Sequence, residues 1–595
     1  MSSKRPTSIV WKCFVKIEDN FVQCNQCQLK LMYHKSTSSL MHHLKSKHAL
    51  KYDELLQEKE KEIEERTAPK RKIEKIVQPT LEQSLEKTIL YPLDHPKRKE
   101  LDKMVLDMVV TDLQPFQIVE NRGFKKLVET LDKKYTLPSR TKLSKNLLDS
   151  TFQQEEKQVM DALQRSSYVS LTTDHWTSLA NRGYLTVTAH CISPDWELQS
   201  FVLETARMQC STTGENIGAE IIRIMEKFKI RNKVPAIVTD NASSMVVAMR
   251  DHVKIEHGRC FGHTLNLIVQ SAVNKCEETS KIKRKIKDIV TFFHHSSKAT
   301  DALTAELVKA EKKTLKLKQE VPTRWNSTFL MMNRYLELHE EVSVILFRHN
   351  KANLCLQENE VQIAKSAIKS LQIFDKFTIE MSAEKVTSSS KIIPIIHMIN
   401  SSLSTDETSI SQNLLKEMET RFSNPEENTL WAMSTILDPR FKQHCIRNEA
   451  VKEKIYNDML NSSAETEKEN TLTSEEMKRE GEEETEEDED DPWLQFDQEL
   501  NKKFKVTATQ ETEIQKYFAE NPVPRKQDPL KWWMTAARSY PLLSEEANKY
   551  LCIPASSVPS ERLFSKAGEL VSKKRSSLSD STINKVLFLN KNLKM

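Results

Sequence analysis

Four metal-binding side chains near the start of the chain have the order and spacing of a structural zinc site. Cys24 and Cys27 are separated by two residues, and after fifteen more residues His43 and His48 follow with four residues between them. Two thiolates and two imidazoles complete a tetrahedral site, which stabilises a fold and leaves no open position for a substrate. The spacing predicts a zinc finger over 9–50, in which the metal supplies folding free energy on the order of 10 kcal/mol.

The finger segment carries an excess of positive charge. Residues 1–50 contain eight Lys and Arg side chains against two carboxylates, although the net charge of the 595-residue chain is only +4. A small basic module is the usual electrostatic sign of contact with a phosphate backbone. The stretch Thr37–His48 is predicted to form a helix that carries both histidine ligands. His42 competes with His43 as a ligand, but His43 and His48 lie nearly on one helical face.

The chain is too long for a single core and is expected to form several domains. No apolar run reaches the roughly 18 residues of a membrane span, and the first residues lack the apolar stretch of a signal peptide. We therefore expect a soluble, intracellular protein. Ten cysteines spread over 595 residues do not form a disulfide framework. Only eight glycines, with many Leu, Lys and Glu residues, favour a mainly helical protein.

Hydrophobic periodicity changes to that of β-strands near residue 167. Strands are predicted where β-branched and apolar residues alternate or run together, and a helix where the apolar residues recur on one face. The predicted elements are, in order, strands Tyr168–Thr173, Tyr184–Ile192 and Leu198–Met208, helix Gly214–Phe228 and strand Val234–Thr239. Three strands, a helix and a further strand is the order of an RNase H-like α/β fold.

The rest of the chain has a helical or a strongly charged composition. Residues 265–470 are rich in Leu, Ile, Lys and Glu, which predicts helices. Twelve Asp and Glu residues within 475–491 indicate a disordered acidic loop, placed at 462–492. Residues 51–97 form a charged linker. Its basic cluster at 69–72 suits nuclear import, or is simply linker charge.

Three carboxylates are candidate catalytic residues. Asp174 and Asp240 each end a predicted strand, and sites form beyond the carboxyl ends of neighbouring strands. Glu561 lies on a predicted helix, 559–570, roughly 130° from the centre of its apolar face, so it points toward solvent or a cleft. Mg²⁺ is bound by carboxylates at fixed positions, and two such ions about 4 Å apart would hold the attacking and leaving oxygens of a phosphodiester displacement. A solvated surface charge is the ordinary alternative for any one of them.

Short motifs occur in a fixed order along residues 105–595. They are Asp112-Leu-Gln-Pro-Phe116, Tyr135-Thr-Leu-Pro-Ser-Arg140, Leu171-Thr-Thr-Asp-His-Trp-Thr-Ser178, Thr239-Asp-Asn241, Cys260-x2-His263, Thr323-Arg-Trp-Asn-Ser-Thr328, Leu437-Asp-Pro-Arg-Phe441 and Pro559-Ser-Glu-Arg-Leu-Phe-Ser565. Together they resemble the hAT superfamily of DNA transposases. Trp11 and Phe14, aromatic residues ahead of the first cysteine pair, make the finger resemble a BED-type finger. The combination is typical of the BED-finger branch of that superfamily.

The resemblance implies a multidomain chain, with a small zinc finger and an α/β RNase H-like catalytic domain that is interrupted by a large all-α insertion. The implied divisions are the finger over 9–50, the linker over 51–97, a helical pre-catalytic and DNA-binding segment over 98–160, the first part of the RNase H-like domain over 161–270, the helical insertion over 271–545, and the last part with a C-terminal dimerisation region over 546–595.

For the finger, the resemblance implies binding of double-stranded DNA in the major groove. The candidate contacts, chosen by their position at or near the helix start, are Lys30, Lys35, Ser38, Ser39 and Lys45.

For the body, the resemblance makes Asp174, Asp240 and Glu561 a catalytic triad that binds Mg²⁺ if the enzyme is active. Cys260 and His263 are expected to be structural residues near the active site, because two residues alone do not complete a zinc site. The family also implies that Arg324 and Trp325 meet DNA beside the site. There Trp325 either stacks on an unpaired base or, as is usual for tryptophan, belongs to a core.

A homodimer or larger homo-oligomer is expected through the C-terminal region. A predicted helix over 580–593 has an apolar face with little nearby sequence to cover it, made of Ile583, Val586, Leu587, Leu589 and Leu593.

Two functions remain open. One is a nuclear, metal-dependent DNA transposase whose finger locates transposon ends. The other is a domesticated, transposase-derived transcription regulator that binds DNA without transposition. The intact carboxylate triad favours the first, because a regulator has no need of it.

Overall fold

The computed structural model describes residues 9–33, 36–56, 90–178, 181–321, 324–460, 510–570 and 578–593. The chain divides into two compact units, residues 1–89 and 90–595. Three predicted features lie outside the described residues: the side chain of Lys35, the basic cluster at 69–72 and the acidic loop at 462–492.

The N-terminal unit is built on a three-stranded antiparallel sheet and one helix. The strands are β1 Phe14–Glu18, β2 Phe21–Cys24 and β3 Lys30–Met32, in the order β1-β2-β3, and helix α1 spans Ser38–Lys47. Val22 on β2 packs in one fully buried cluster with Leu40 and Leu44 of α1. The predicted finger helix is therefore confirmed to within one residue at each end.

A five-stranded mixed sheet forms the centre of the larger unit, in the order β6-β5-β4-β7-β8. Its strands are β4 Val169–Thr177, β5 Gly183–Ile192, β6 Leu198–Arg207, β7 Ala236–Thr239 and β8 Glu256–Arg259. Strands β4, β5 and β6 pair antiparallel, whereas β7 runs parallel to both β4 and β8. The four predicted strands are confirmed. Strand β8 was not predicted, because its sequence, Glu-His-Gly-Arg, has no apolar pattern.

Helices account for most of the remaining described residues. They are α2 Pro96–Thr111, α3 Arg122–Leu131, α4 Leu148–Arg165, α5 Gly214–Lys227, α6 Ser243–Val247, α7 Phe261–Lys275, α8 Glu277–His295, α9 Ser297–Lys309, α10 Trp325–Arg348, α11 Glu358–Met381, α12 Ile392–Ser404, α13 Ser409–Arg421, α14 Thr429–Ile436, α15 Gln510–Ala519, α16 Pro529–Ala536, α17 Pro541–Leu551, α18 Val558–Leu570 and α19 Asp580–Asn592. Residues 49–56 and 449–460 are also helical. Within the described ranges, every helix is too short or too polar to cross a membrane.

Two hydrophobic cores organise the larger unit. One joins the sheet to α2, α4, α5 and α19, and the other lies mainly among the helices from α7 to α17. The second core begins at the sheet, because the Cys260 N–H donates a 2.9 Å hydrogen bond to the Thr239 carbonyl oxygen at the end of β7. The helical region therefore starts at the sheet edge where Asp240 lies.

The C-terminal helix α19 covers the outer edge of β6. Asn584 Oδ1 accepts a hydrogen bond from the Thr205 N–H at 2.8 Å. Asn592 accepts from the Val202 N–H at 2.9 Å and donates to the Val202 carbonyl oxygen at 2.8 Å. Helix side chains thus take hydrogen bonds that a further strand would otherwise make.

The apolar face of α19 is buried within its own chain. It packs on α4, α2 and β6, and its most enclosed members are at most 2% exposed: Ile583, Val586, Leu587 and Leu589. Leu593 is partly buried in the same core. The expectation that this face lacks a local cover is wrong, because the sheet and helices made earlier in the chain bury it.

Candidate functional site

The predicted zinc ligands come together at the junction of β2, β3 and α1. Cys24 ends β2 and Cys27 lies in the turn after it, where the Gln28 N–H donates to the Cys24 carbonyl oxygen at 2.9 Å. Residue 28 has a positive φ of 59°, which lets the chain reverse tightly around the two thiols. His43 lies inside α1 and His48 directly follows it. One ligand atom from each of the four side chains lies within 4.8 Å of all the others.

The chemistry of this cluster fits Zn²⁺. Burial chiefly, then the charges of His48 and Lys47, lower the pKa of His43, which favours the neutral imidazole that binds metal. His48 Nε2 is buried and has no hydrogen-bond partner among the described residues. His42 is exposed, whereas His43 is buried and belongs to the cluster of four side chains that could hold a metal ion.

The exposed face of α1 contains most of the candidate DNA contacts. Ser38 and Ser39 are exposed in its first turn and Lys45 in its last. His42 shares this face, and sequence reasoning considered it only as a ligand. Lys30 lies apart on β3, where its ammonium group is 2.7 Å from Glu18 Oε1 and 4.4 Å from the centre of the Phe21 ring.

Asp174 and Asp240 lie side by side on neighbouring strands. Thr173 of β4 pairs with Thr239 of β7 in parallel register, and each aspartate is the next residue. Neighbouring strands are about 4.8 Å apart, which keeps the two carboxylates close. Asp240 follows the last residue of β7, as predicted. Asp174 does not end β4, because antiparallel pairing with β5 continues to Thr177.

Glu561 reaches the same region on helix α18, which packs on β4 and β5. Leu563, Ala567 and Leu570 are buried, as expected for its apolar face. The residue before Glu561 is Ser560, whose hydroxyl lies 2.7 Å from the Thr172 hydroxyl on β4.

The electrostatics of the three carboxylates confirm that they influence one another. The pKa of Asp174 is raised to about 8, first by burial and then by the negative charges of Asp240 and Glu561. The pKa of Glu561 is also raised, chiefly by burial, although the positive charges of Arg324 and His263 oppose the shift. No Lys or Arg of the described residues forms an ion pair with any of the three. Arg324 and His263 thus act on Glu561 through their charge without forming a direct ion pair with it.

This donor set fits Mg²⁺ or Mn²⁺. All three side chains offer carboxylate oxygens, which these hard cations prefer. Asp174 accepts one described hydrogen bond, from the His175 N–H at 2.8 Å, and Asp240 accepts one, from the Ala242 N–H at 3.3 Å. Lone pairs thus remain on both for a cation.

Cys260 lies between β8 and α7 and joins three parts of the site region. Its sulfur accepts hydrogen bonds from the His263 and Ser557 N–H groups, each at 3.3 Å. Burial raises the pKa of its thiol to about 11, so the thiol is neutral. A neutral, fully buried thiol that caps a helix is a poor metal ligand.

Arg324 and Trp325 begin helix α10 but face different surroundings. Arg324 is exposed. Trp325 is only 2% exposed, and its ring packs near Phe329 and Phe374 in the helical core. In this conformation Trp325 has the core position that was the alternative to base stacking, and its buried indole N–H has no hydrogen-bond partner among the described residues.

Four family models match the chain. They are the BED zinc finger over 8–49, the ZBED1 RNase-like domain over 172–260, the ZBED1 RNase-like helical domain over 258–372 and the hAT family C-terminal dimerisation region over 513–593. The chain therefore matches a BED zinc finger and a hAT C-terminal dimerisation region in one polypeptide. The resemblance read from its motifs is thereby confirmed.

The curated proteins that this chain resembles have different printed names. It is 26% identical to zinc finger BED domain-containing protein 4 of Homo sapiens over 84% of this chain and 44% of that protein. It is 25% identical to a putative AC transposase of Zea mays over 98% of this chain and 76% of that protein. It is 21% identical to a putative transcriptional regulator, tpeD, of Talaromyces stipitatus over 62% of this chain and 47% of that protein. The chain thus matches less than half the length of the human and fungal relatives.

Proposed function

We propose that this protein binds specific DNA through a zinc finger and cleaves and joins DNA strands at a metal-dependent Asp-Asp-Glu site. One observation carries the catalytic half. Asp174, Asp240 and Glu561 come from three separate parts of the chain and interact through their charges, and none of them forms an ion pair with a described Lys or Arg. Such a cluster is electrostatically costly unless cations bind there.

The architecture supports an RNase H-like identity for the sheet. Three antiparallel strands are followed by two parallel ones, and the helical region interrupts the chain between β8 and α18. This arrangement is the one expected of a catalytic domain with an all-α insertion. It brings Glu561 back to the strands that carry the two aspartates.

The chain's own residues contribute placement and charge. The strand pairing fixes Asp174 and Asp240, and the Ser560–Thr172 contact fixes the start of α18. When bound, divalent cations would polarise the phosphodiester and activate the attacking oxygen. Arg324, whose charge already acts on Glu561, is exposed and is a candidate contact for the DNA phosphates beside the site. Cys260 and His263 support this arrangement as structural residues.

For the finger, we assign zinc to Cys24, Cys27, His43 and His48. The exposed side of α1 supports DNA contact through Ser38, Ser39 and Lys45, with His42 as an addition. Lys30 is a weaker candidate, because it is engaged by Glu18. The nucleus is the expected location, and we expect self-association through parts of the C-terminal region other than the buried face of α19.

The test uses the full-length protein and DNA that its finger selects from a random pool. With Mg²⁺ or Mn²⁺ we expect strand cleavage that Asp174→Asn, Asp240→Asn and Glu561→Gln each abolish while DNA binding survives. Asp251→Asn, an exposed aspartate of the same unit paired with Arg250, is the matched control and should cut normally. If Glu561→Gln cleaves as well as the wild type, the third carboxylate is wrongly assigned.

The second candidate is a transcription regulator without cleavage. The name of the fungal relative and the buried position of Trp325 favour it. In that case the wild-type protein binds its selected DNA but does not cleave it, whichever divalent metal ion is added. The three carboxylate substitutions then leave expression of a reporter gene unchanged, whereas Cys24→Ser abolishes the effect on the reporter.

A further inference from the structure

A cavity of about 630 Å³ borders the carboxylate site on the β8 side of the sheet. We call it the Arg259 pocket. Its lining includes Asn241, Arg259, Thr264, Arg421, Asn428 and Trp431. Strand β8, helix α7, the end of α13 and the start of α14 contribute these residues, so both the sheet and the helical region build the pocket.

Residues of the pocket neighbour the carboxylate site along the chain, although none of the three carboxylates lines the cavity. Asn241 follows Asp240, and Thr264 follows His263. Arg259 pairs in parallel register with Thr239, the residue before Asp240. The backbone of Arg259 therefore lies one strand spacing, about 4.8 Å, from the end of β7.

The charge of the pocket is opposite to that of the neighbouring site. Its described lining contains Arg259 and Arg421, and none of the described lining residues is Asp or Glu. Arg421 is paired with Glu417 of its own helix, whereas Arg259 is exposed and forms no ion pair with any residue that the structure describes. The guanidinium of Arg259 thus remains available for a phosphate, which it can hold with two hydrogen bonds.

The remaining lining suits a nucleobase. Asn241 Oδ1 is buried and has no hydrogen-bond partner in the part of the chain that the structure describes, while Asn241 Nδ2 donates to the Thr264 hydroxyl at 3.2 Å. Asn424 and Asn428 add amide groups, although Asn428 Oδ1 already accepts from the Trp431 backbone N–H at 3.0 Å and Trp431 is only 8% exposed. Amide groups that can pair with a base edge are a usual means of recognising an unstacked base.

We infer that the Arg259 pocket takes one unpaired nucleotide of the DNA strand whose phosphodiester lies at the carboxylates. This inference rests on the proposed function. The cavity has the volume of a small-molecule site, within the range of roughly 300–1,000 Å³, and an intact duplex does not fit such a space. Because Trp325 is buried in the helical core, we place the unpaired base in the Arg259 pocket and not against Trp325.

The experiment measures binding of thymidine 3′,5′-bisphosphate, which is one nucleotide with both of its phosphates, to the full-length protein in EDTA. Arg259→Ala should weaken binding by about tenfold or more, as expected for the loss of a charge-assisted hydrogen bond. Asn424→Asp places a negative charge at the rim of the pocket and should also weaken it. Asn448→Asp is the matched control, because Asn448 is equally exposed, also begins a helical segment and lies outside the pocket.

A photoreactive 4-thiothymidine bisphosphate should crosslink within residues 256–267 or 420–431. Crosslinks confined to other segments, or equal binding by the wild type and Arg259→Ala, would overturn the inference. Inorganic phosphate that competes as well as the bisphosphate would overturn the role of the base. No cleavage occurs in EDTA, so a regulator that cannot cut would still bind the nucleotide. Absence of nucleotide binding in EDTA is therefore a different result from absence of metal-dependent DNA cleavage.

Discussion

The hydroxyl of Thr172 lies 2.7 Å from that of Ser560, although 388 residues separate them in sequence. Both side chains are fully buried. Thr172 precedes Asp174 by two residues, so the two share one face of β4, and Ser560 is adjacent to Glu561. This contact therefore joins helix α18 to the strand at the point where two of the three carboxylates meet.

Ser560→Ala should weaken Mn²⁺ binding by about tenfold, because second-shell contacts of this kind orient metal ligands. The free energy of unfolding should fall by only about 1 kcal/mol, the usual value of one hydrogen bond. Calorimetric titration with Mn²⁺ and thermal unfolding measure the two effects. Ser411→Ala is the control, since Ser411 is a fully buried, hydrogen-bonded serine in the helical region. If Ser560→Ala binds Mn²⁺ as tightly as Ser411→Ala does, Ser560 does not orient Glu561.

Cys24→Ser and His48→Ala should each unfold residues 9–50 and abolish specific DNA binding, because the metal supplies most of the stability of so small a core. The larger unit should keep its thermal transition. Limited proteolysis and DNA-binding assays of the full-length protein provide the measurements. The control is His42→Ala, which removes an exposed histidine next to a ligand and should leave the finger folded. Specific binding that survives a strong chelator would contradict the ligand assignment.

Asp174→Asn should stabilise the metal-free protein while abolishing its binding of divalent cations. Burial, and then the charges of Asp240 and Glu561, raise the pKa of this carboxyl to about 8. At pH 7.5 folding must therefore protonate a group that is ionised in the unfolded chain, whereas the amide is neutral in both states. We expect the melting temperature in EDTA, at pH 7.5, to rise by a few degrees. With excess Mn²⁺ the order should reverse, since only the wild type gains stability from the bound metal. A variant that melts below the wild type in EDTA would show that the aspartate is not electrostatically strained.

His190 should make the larger unit sensitive to acid. Its pKa is lowered to about 4, chiefly by burial, with Glu384 opposing the shift and Lys591 adding to it. Because the folded pKa lies below the unfolded value of about 6.5, stability is fully present above pH 6.5 and is lost as the pH falls toward 4. The loss amounts to about 3 kcal/mol.

Thermal unfolding between pH 7 and pH 4.5 tests this expectation. His190→Gln can still contact the Thr188 hydroxyl, which lies 3.0 Å from His190 Nε2, but it cannot become charged. Its melting temperature should depend less on pH than that of the wild type. His294→Gln, a change at an exposed histidine, should behave as the wild type does. If the melting temperatures of the wild type and His190→Gln fall equally with pH, His190 is not the source of the acid sensitivity.

Val586→Asp and Leu589→Asp should unfold the sheet region instead of merely dissociating an oligomer. Both side chains are buried against the chain's own core, and an unpaired buried charge costs several kcal/mol. Circular dichroism and sedimentation distinguish the two results. Ser581→Asp, at an exposed position near the start of the same helix, is the control. A folded monomer from either core substitution would show instead that this face joins two copies.

The sequence allowed the parts of the site that depend on local pattern to be predicted. The zinc ligands follow from spacing, because one turn and one helix bring all four together. Strand periodicity placed Asp240 at the end of β7, whereas β4 continues past Asp174 to Thr177, and it is the parallel register of β4 and β7 that brings the two aspartates side by side. Glu561 depended on the resemblance, because no local pattern shows that a helix beyond residue 557 returns to β4.

Other features were hidden because tertiary packing decides them. Strand β8 has four residues without an apolar pattern, and it forms only because the edge of β7 is available. The apolar face of α19 fits a dimer contact or a core equally well in sequence. Trp325 shows the same ambiguity, and only the surrounding helices decide in favour of a core.

The cover that α19 places on β6 has a consequence for synthesis of the protein. The hydrogen bond between Asn584 and Thr205 spans 379 residues. At ribosomal speeds of about 5–20 residues per second, β6 emerges roughly 20–75 s before the helix that closes its edge. During that interval the nascent sheet presents an open strand to other chains, whereas the finger already has all its ligands. We therefore expect the nascent body to require chaperones, and a message cut short before α19 to yield aggregates with folded fingers.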